Sequence, residues 1–207
     1  MTYLWKIIAF TILTLLSYFL HQYIDHLAFH QSFHSLAPSW ITWAVFALWA
    51  IFLTAVFSAY VSGPGKRRGA SVFLFGLTLV TIVIGTTMPG SWKMTILLDI
   101  YAFIQKIYGL TLAHFARTVN ISKLAHPLLF GFLGGICWLL ARDRSPFMKA
   151  ADIAMLAGAT EMMQLFVKGR TASFLDFLLD CAGGAGGVVL FLLFISLLRR
   201  AEKKAVI

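Results

Sequence analysis

The stretch EMMQLFVKGRTASFLDFLLDCAGGAGG, residues Glu161–Gly187, decides the fold class because it places acidic side chains inside hydrophobic sequence. Glu161 and Gln164 lie in one apolar segment, and Asp176 and Asp180 lie in the next. A charged side chain at the centre of a bilayer costs roughly 2.5–3.5 kcal/mol on insertion scales. Such groups in membrane-length segments usually mark a functional site, so this stretch predicts a polar site inside a membrane protein.

The composition supports the membrane interpretation. The chain is 60% hydrophobic and 12% charged, with a mean hydropathy of +0.85, which is typical of polytopic membrane proteins. The net charge of +9 does not indicate nucleic-acid binding, because the cations lie mainly at the ends of apolar segments rather than on one basic face. Cys137 and Cys181 both lie in apolar segments, and we interpret them as small buried hydrophobic residues rather than a disulfide or redox pair.

Six apolar segments are long enough, or nearly so, to cross a bilayer at ~20 residues each. They are Leu4–Leu20, Trp40–Val61, Ala70–Met88, Leu124–Leu140, Phe147–Val167 and Phe174–Leu198. No small-residue cleavage site follows the first, so we expect a retained helix rather than a signal peptide. The sequence therefore predicts an all-α, polytopic integral membrane helix bundle with about six transmembrane helices, forming a single domain over residues 1–207.

The distribution of Lys and Arg predicts the orientation. Eleven of the seventeen cations fall on one side of the six spans: Lys6, Lys66, Arg67, Arg68, Arg142, Arg144, Lys149, Arg199, Arg200, Lys203 and Lys204. The loop of residues 21–39 on the other side has none. By the positive-inside bias, both termini should be cytoplasmic, with residues 1–89 forming three spans and residues 199–207 a basic cytoplasmic tail.

Residues 90–123 predict an amphipathic segment outside the cytoplasm. Apolar residues recur there at helical spacing: Ile96, Leu97, Ile100, Phe103, Ile104 and Ile107. We expect a helix on the outer interface, followed after Gly109 by a short segment with His114 and Arg117. A helix packed over the bundle is a compatible alternative. If the helix has a function of its own, we expect a lid or lateral gate over a lipid-facing cavity.

Helical spacing predicts that the ionisable groups of three spans converge. Glu161 and Asp180 should each lie ~10 Å below the outer boundary, and His126 should lie in the first turn of its span. On the last span Asp176 and Asp180 share a face with Gly183, Gly184 and Gly187, which should let a neighbouring helix approach closely. The alternative is a set of buried pairs, such as Arg170 with Glu161 or Asp176, that fixes helix register.

Two other polar features receive simpler interpretations. Asp152 lies near the cytoplasmic end of its span, and we expect a solvated charge at a helix terminus. His26, His30 and His34 recur every fourth residue, which allows a zinc site or a pH response on a helix. We expect a solvated helix extension instead and assign no metal ligand.

The polar motifs resemble those of the VanZ-like family of bacterial membrane proteins. The resemblance covers about Ser122–Val189 and depends on Lys123-Leu-Ala-His126 with Phe130, Glu161-x-x-Gln164, Gly169-Arg170, Ser173-x-x-Asp176 and Asp180-x-x-Gly183-x-x-x-Gly187. Two positions depart from the family pattern: Asp180 stands where Asn is usual, and Pro127 follows the histidine. The family's namesake is linked to glycopeptide-antibiotic resistance. The resemblance implies a cell-envelope role and a shared polar site within the three-span core of residues 124–198.

Three functions remain open. The chain is expected to bind a membrane lipid or a lipid-linked or lipophilic envelope intermediate at the outer leaflet. It could instead be a membrane enzyme that hydrolyses or transfers a group on such a substrate, or a structural partner of envelope-biosynthesis proteins. In the enzyme, His126, Glu161 and Asp176 would be catalytic. The expected substrate-binding residues are Lys123, Gln164, Arg170, Ser173 and Asp180. The sequence names no cofactor.

Overall fold

Helices make up most of the described chain. In the computed structural model the described residues are 3–31, 39–62, 69–108, 121–141 and 143–205, with side chains described except at 27–31, 39, 90, 93, 94, 97, 101, 104, 107, 108, 121, 122 and 198–205. The helices are α1 (Tyr3–Gln31), α2 (Ser39–Val61), α3 (Gly69–Thr87), α4 (Gly90–Tyr108), α5 (Ile121–Leu140), α6 (Pro146–Gln164) and α7 (Phe174–Ala205). The prediction of an all-α fold is confirmed.

Five of the described helices, α1, α2, α3, α5 and α7, are long and apolar enough to cross a membrane. The sixth predicted span, α6, contains Lys149, Asp152 and Glu161 and is less apolar than the other five. Its 19 residues nevertheless give a length of ~28 Å, close to the ~30 Å hydrocarbon thickness. All three charged side chains are buried, so they face protein rather than lipid.

Helix α6 is the centre of the bundle. It contacts α1, α2, α3, α5 and α7, and most of its residues are buried. Small residues make this possible, because a side chain at Gly158 would collide with the ring of Phe10 on α1. The polar side chains of α6 are therefore surrounded by other helices, where they need protein partners.

Helices α5 and α7 form the closest contact in the bundle. A side chain at Gly134 would collide with the backbone of Gly184, and one at Gly187 would collide with the backbone of Gly131. A side chain at Gly183 would meet the backbone of Pro127. The predicted close approach at the glycines of the last span is confirmed. Helix α5 begins at Ile121, so Pro127 lies inside it and His126 lies in its second turn rather than its first.

Helix α4 confirms the predicted helix in the third loop but does not pack closely on the bundle. It shares no extensive contact with another described helix, and its apolar side chains Trp92, Leu98 and Phe103 are largely exposed. The position of this helix at a membrane interface stays a prediction. The segment predicted after Gly109, with His114 and Arg117, lies outside the described residues.

Side-chain contacts show that the long helices alternate in direction. The N-terminal part of α1, the C-terminal end of α2 and the N-terminal part of α6 meet at one end of the bundle, where Lys6, Tyr60 and Asp152 are in contact. At the opposite end, the start of α5 meets the start of α7 through His126 and Asp180. Two polar clusters thus lie near opposite ends of α6.

Candidate functional site

A polar cavity lies where α5 and α7 begin and α6 ends. Its volume is about 170 Å³, which is room for several water molecules or a small polar headgroup at ~30 Å³ per water. The cavity is lined by Lys123, His126, Gln164, Gly169, Arg170, Thr171 and Asp176. Five of these seven residues are among the eight expected from the sequence, and they come from α5, α6, α7 and the turn that joins α6 to α7.

The turn between α6 and α7 places Arg170 at the cavity. Gly169 has a φ of 71°, a left-handed conformation that a glycine adopts without strain. The Arg170 N–H then donates to the Val167 carbonyl at 3.1 Å. Ser173 caps α7, because its hydroxyl accepts a hydrogen bond from the Asp176 N–H at 3.3 Å. Ser173 was expected to contact substrate, but its hydroxyl is engaged in this cap and it is not among the lining residues.

Glu161 lies behind the cavity and fixes this turn. The residue is 3% exposed. One carboxylate oxygen accepts from the Gln164 side-chain amide at 3.1 Å, and the other accepts from the Ser173 backbone N–H at 2.6 Å. Glu161 therefore orients one lining residue, Gln164, and holds the start of α7 against the end of α6.

His126 is held by Asp180. The imidazole Nδ1 lies 3.2 Å from one carboxylate oxygen of Asp180 and 3.3 Å from the other. Asp180 is fully buried, whereas the His126 side chain is 12% exposed. Because Asp180 engages Nδ1, the nitrogen available to a molecule in the cavity is Nε2.

Two buried polar atoms of cavity-lining residues lack a hydrogen-bond partner: Nε of Arg170 and Oδ1 of Asp176. Leaving a buried donor or acceptor unsatisfied costs ~1–3 kcal/mol. Among the described residues Arg170 forms no ion pair with Glu161 or Asp176, the pairs expected of an internal structural cluster. The cavity is therefore lined by a guanidinium and a carboxylate that form no ion pair with each other, and each of these two side chains also holds one buried atom without a partner.

The interpretation of Asp152 as a solvated charge is wrong. Asp152 is 0% exposed and accepts hydrogen bonds on both oxygens. One oxygen lies 2.7 Å from Lys6 Nζ and 3.3 Å from the Tyr3 hydroxyl. The other accepts from the Tyr60 hydroxyl at 2.8 Å and from Arg144 at 3.3 Å. This Asp152 cluster joins α1, α2, α6 and the loop before α6.

The error has a physical cause. Asp152 is only six residues from the start of α6, close enough to the end to suggest solvent, but α1 and α2 cover it. Lys149 is also buried, with its Nζ 2.7 Å from the Arg144 carbonyl and over the Trp138 ring at 3.9 Å. The signal that sequence reasoning missed was Lys6, a cation inside the first apolar segment that needs an acidic partner.

The histidine repeat provides no metal site among the described residues. No group of three or more His, Cys, Asp or Glu side chains there is arranged to hold a metal ion. His21 pairs instead with Asp25 at 3.3 Å. The side chain of His30 and the whole of His34 lie outside the described residues. Both cysteines are free, with Cys137 buried and Cys181 partly buried.

Comparison with known proteins identifies the family. The model of the VanZ/LLP1 family matches residues 40–195, well over half of the 207-residue chain. The match extends beyond the motifs of α5, α6 and α7 to include α2, α3 and α4. No curated protein and no solved structure matches the chain. The chain belongs to the VanZ/LLP1 family.

Proposed function

We propose that the cavity between α5, α6 and α7 binds the headgroup of a membrane lipid or of a lipid-linked cell-envelope molecule. The observation that supports this most is that Arg170 and Asp176 line one polar cavity without forming an ion pair with each other. A protein that used these residues only to staple its helices would gain most by pairing them with each other. A ligand that carries an anionic group and a hydrogen-bond donor would pair with both side chains instead.

The charges of the cavity indicate the chemistry of the headgroup. Arg170 and the exposed Lys123 supply positive charge, and a guanidinium presents paired donors that match a phosphate or a carboxylate. Asp176 requires a donor, such as a hydroxyl or amine. The proposed headgroup therefore carries an anionic group together with a hydroxyl or amine.

The proposed location depends on the distribution of Lys and Arg. By the positive-inside bias we expect both termini in the cytoplasm of a bacterial cell, with the cavity in the outer half of the cytoplasmic membrane. A lipid headgroup reaches that depth from the outer leaflet. The family's namesake, linked to resistance against a glycopeptide antibiotic, fits a cell-envelope ligand, and envelope-biosynthesis proteins would be the natural partners.

A second candidate function is catalysis on the same ligand. It is favoured by the contact between His126 and the buried Asp180, since a carboxylate that holds one imidazole nitrogen prepares the other for proton transfer. In that case His126 would act as the general base or acid in hydrolysis or group transfer. Glu161, with both oxygens engaged within the protein, would position the site rather than react.

Native mass spectrometry of the protein released from bacterial membranes tests the proposal. The wild type should retain an anionic lipid, and Arg170→Gln should reduce the bound fraction at least tenfold. Lys168→Gln is the matched control, because Lys168 is an exposed cation of the same turn that does not line the cavity. Equal retention by all three proteins would overturn the proposal. Conversion of the retained lipid by the wild type, lost in His126→Gln while binding persists, would establish the enzyme.

A further inference from the structure

We infer that the ligand is an amphiphile whose hydrocarbon chain lies in the groove between α5 and α7 that begins beside the polar cavity. This inference rests on the proposed headgroup site and adds the binding site of the chain. The groove has a volume of about 760 Å³ and is almost entirely apolar. Its lining includes Leu124, Leu128 and Leu139 of α5 and Gly186, Leu190 and Phe194 of α7.

The cavity and the groove are neighbours on the same two helices. On α5, Lys123 and His126 line the cavity, while the adjacent residues Leu124 and Pro127 line the groove. On α7, Asp176 lines the cavity and Gly183, two turns further along, lines the groove. The chain of a ligand whose headgroup binds Arg170 would therefore enter the groove at the end next to the cavity, beside Leu124 and Pro127.

The groove has the length that a lipid chain needs. From Leu124 to Leu139 it follows α5 for 15 residues, or ~22 Å at 1.5 Å per residue, most of the ~30 Å thickness of the hydrocarbon layer. It runs from the cavity end of the bundle towards the end that holds the Asp152 cluster. A chain anchored at the cavity would thus extend along the membrane normal, parallel to the surrounding lipid.

The width of the groove favours a chain over a helix. A volume of 760 Å³ spread over ~22 Å gives a cross-section of ~35 Å². A transmembrane helix with its side chains is ~10–12 Å wide and would rest on the rim rather than fill such a groove. Glycine creates the space, since a side chain added at Gly186 would meet no atom within 4 Å.

Photolabelling with hexadecyl phosphate that carries a diazirine near the chain end tests the inference in phosphatidylcholine nanodiscs. We expect the labels of the wild type to concentrate on groove residues of α5 and α7. Gly186→Leu places an isobutyl group in the path of the chain and should reduce labelling of the groove residues at least tenfold without lowering the melting temperature. Gly85→Leu on α3 is the control, because Gly85 also has open space around it and does not line the groove. The same diazirine on hexadecanol should label the lipid-facing surfaces without this preference.

The outcomes separate the two proposals. Unchanged groove labelling in Gly186→Leu, or equal labelling of all lipid-facing surfaces by the phosphate and the alcohol, would overturn the inference about the chain. Binding lost in Arg170→Gln would still support the headgroup site in that case. Inorganic phosphate can be added as a competitor of hexadecyl phosphate. If the two bind with the same affinity and excess phosphate abolishes all labelling, the chain contributes nothing to binding and the inference is overturned. Loss of a dimer in Gly186→Leu would assign the groove to a second copy of the chain and also overturn the inference.

Discussion

His126 of α5 and Asp180 of α7 form a contact, with Nδ1 3.2 Å from Oδ1, one turn from the glycines at which these helices meet. The glycine contact sets the separation of the two helices, so it also sets the geometry of this polar pair. Asp180 is completely buried, and His126 is the member of the pair that lines the cavity. The closest helix packing in the bundle thus lies directly beside its candidate site.

The first prediction concerns the carboxylate of Asp180. Asp180→Asn keeps an oxygen that accepts from His126 Nδ1, and Asn is the usual residue here in the family that the motifs resemble, so the melting temperature in detergent should change little. Asp180→Leu leaves the imidazole without its partner and should destabilise the protein by ~1–3 kcal/mol. Equal melting temperatures for the two variants would show that the contact contributes nothing to stability.

The second prediction compares two adjacent glycines of α7. Gly187→Ala places a methyl group against the backbone of Gly131, which cannot move without separating α5 and α7, so it should destabilise the protein by ~1–3 kcal/mol. Gly186→Ala adds the same methyl group in open space and should be neutral or slightly stabilising. Thermal unfolding followed by circular dichroism measures both variants. The reverse order of stability would contradict the described register of α5 and α7.

The third prediction concerns the Asp152 cluster. Asp152→Asn leaves Lys6 and Arg144 buried or half-buried without their common counter-charge, so it should cost ~3–5 kcal/mol. Lys6→Met should cost less, because Arg144 and Tyr60 still contact the carboxylate. The exposed Asp99 of α4 provides a control, and Asp99→Asn should melt with the wild type. A normal melting temperature for Asp152→Asn would remove the structural role of the cluster.

The fourth prediction concerns orientation. In a protein with Cys137 and Cys181 replaced by Ala, a single cysteine at the exposed Thr171 should react with an impermeant maleimide added to intact cells. A single cysteine at the exposed Asp143, on the loop before α6, should react only after the membrane is permeabilised. Labelling of Asp143→Cys but not Thr171→Cys in intact cells would invert the topology.

The convergence of the candidate site was predictable because it depends on helix periodicity. Once antiparallel spans are assumed, residues at i, i+3 and i+4 share a face, and Gln164, Asp176 and His126 reach the same end of the bundle. The individual contacts did not follow from spacing. The partner of Glu161 is the backbone N–H of Ser173 rather than Arg170, because the turn at Gly169 directs the start of α7 onto that carboxylate.

Lys6 indicated that a buried acidic partner exists, but the sequence could not show which residues form the Asp152 cluster. Its members Lys6, Tyr60 and Asp152 are separated by 54 and 92 positions along the chain, and no periodicity connects three different helices. Only the order in which α1 and α2 surround α6 brings them together. That order depends on packing, such as Phe10 against Gly158, rather than on the polarity of each segment.

The most direct test of the account is a density map of the protein in lipid nanodiscs obtained by electron cryo-microscopy. The account predicts that Arg170 and Asp176 do not pair with each other, and that ligand density in the cavity contacts the guanidinium of Arg170. A closed cavity, with Arg170 paired to Asp176 or Glu161 and no density between them, would contradict it.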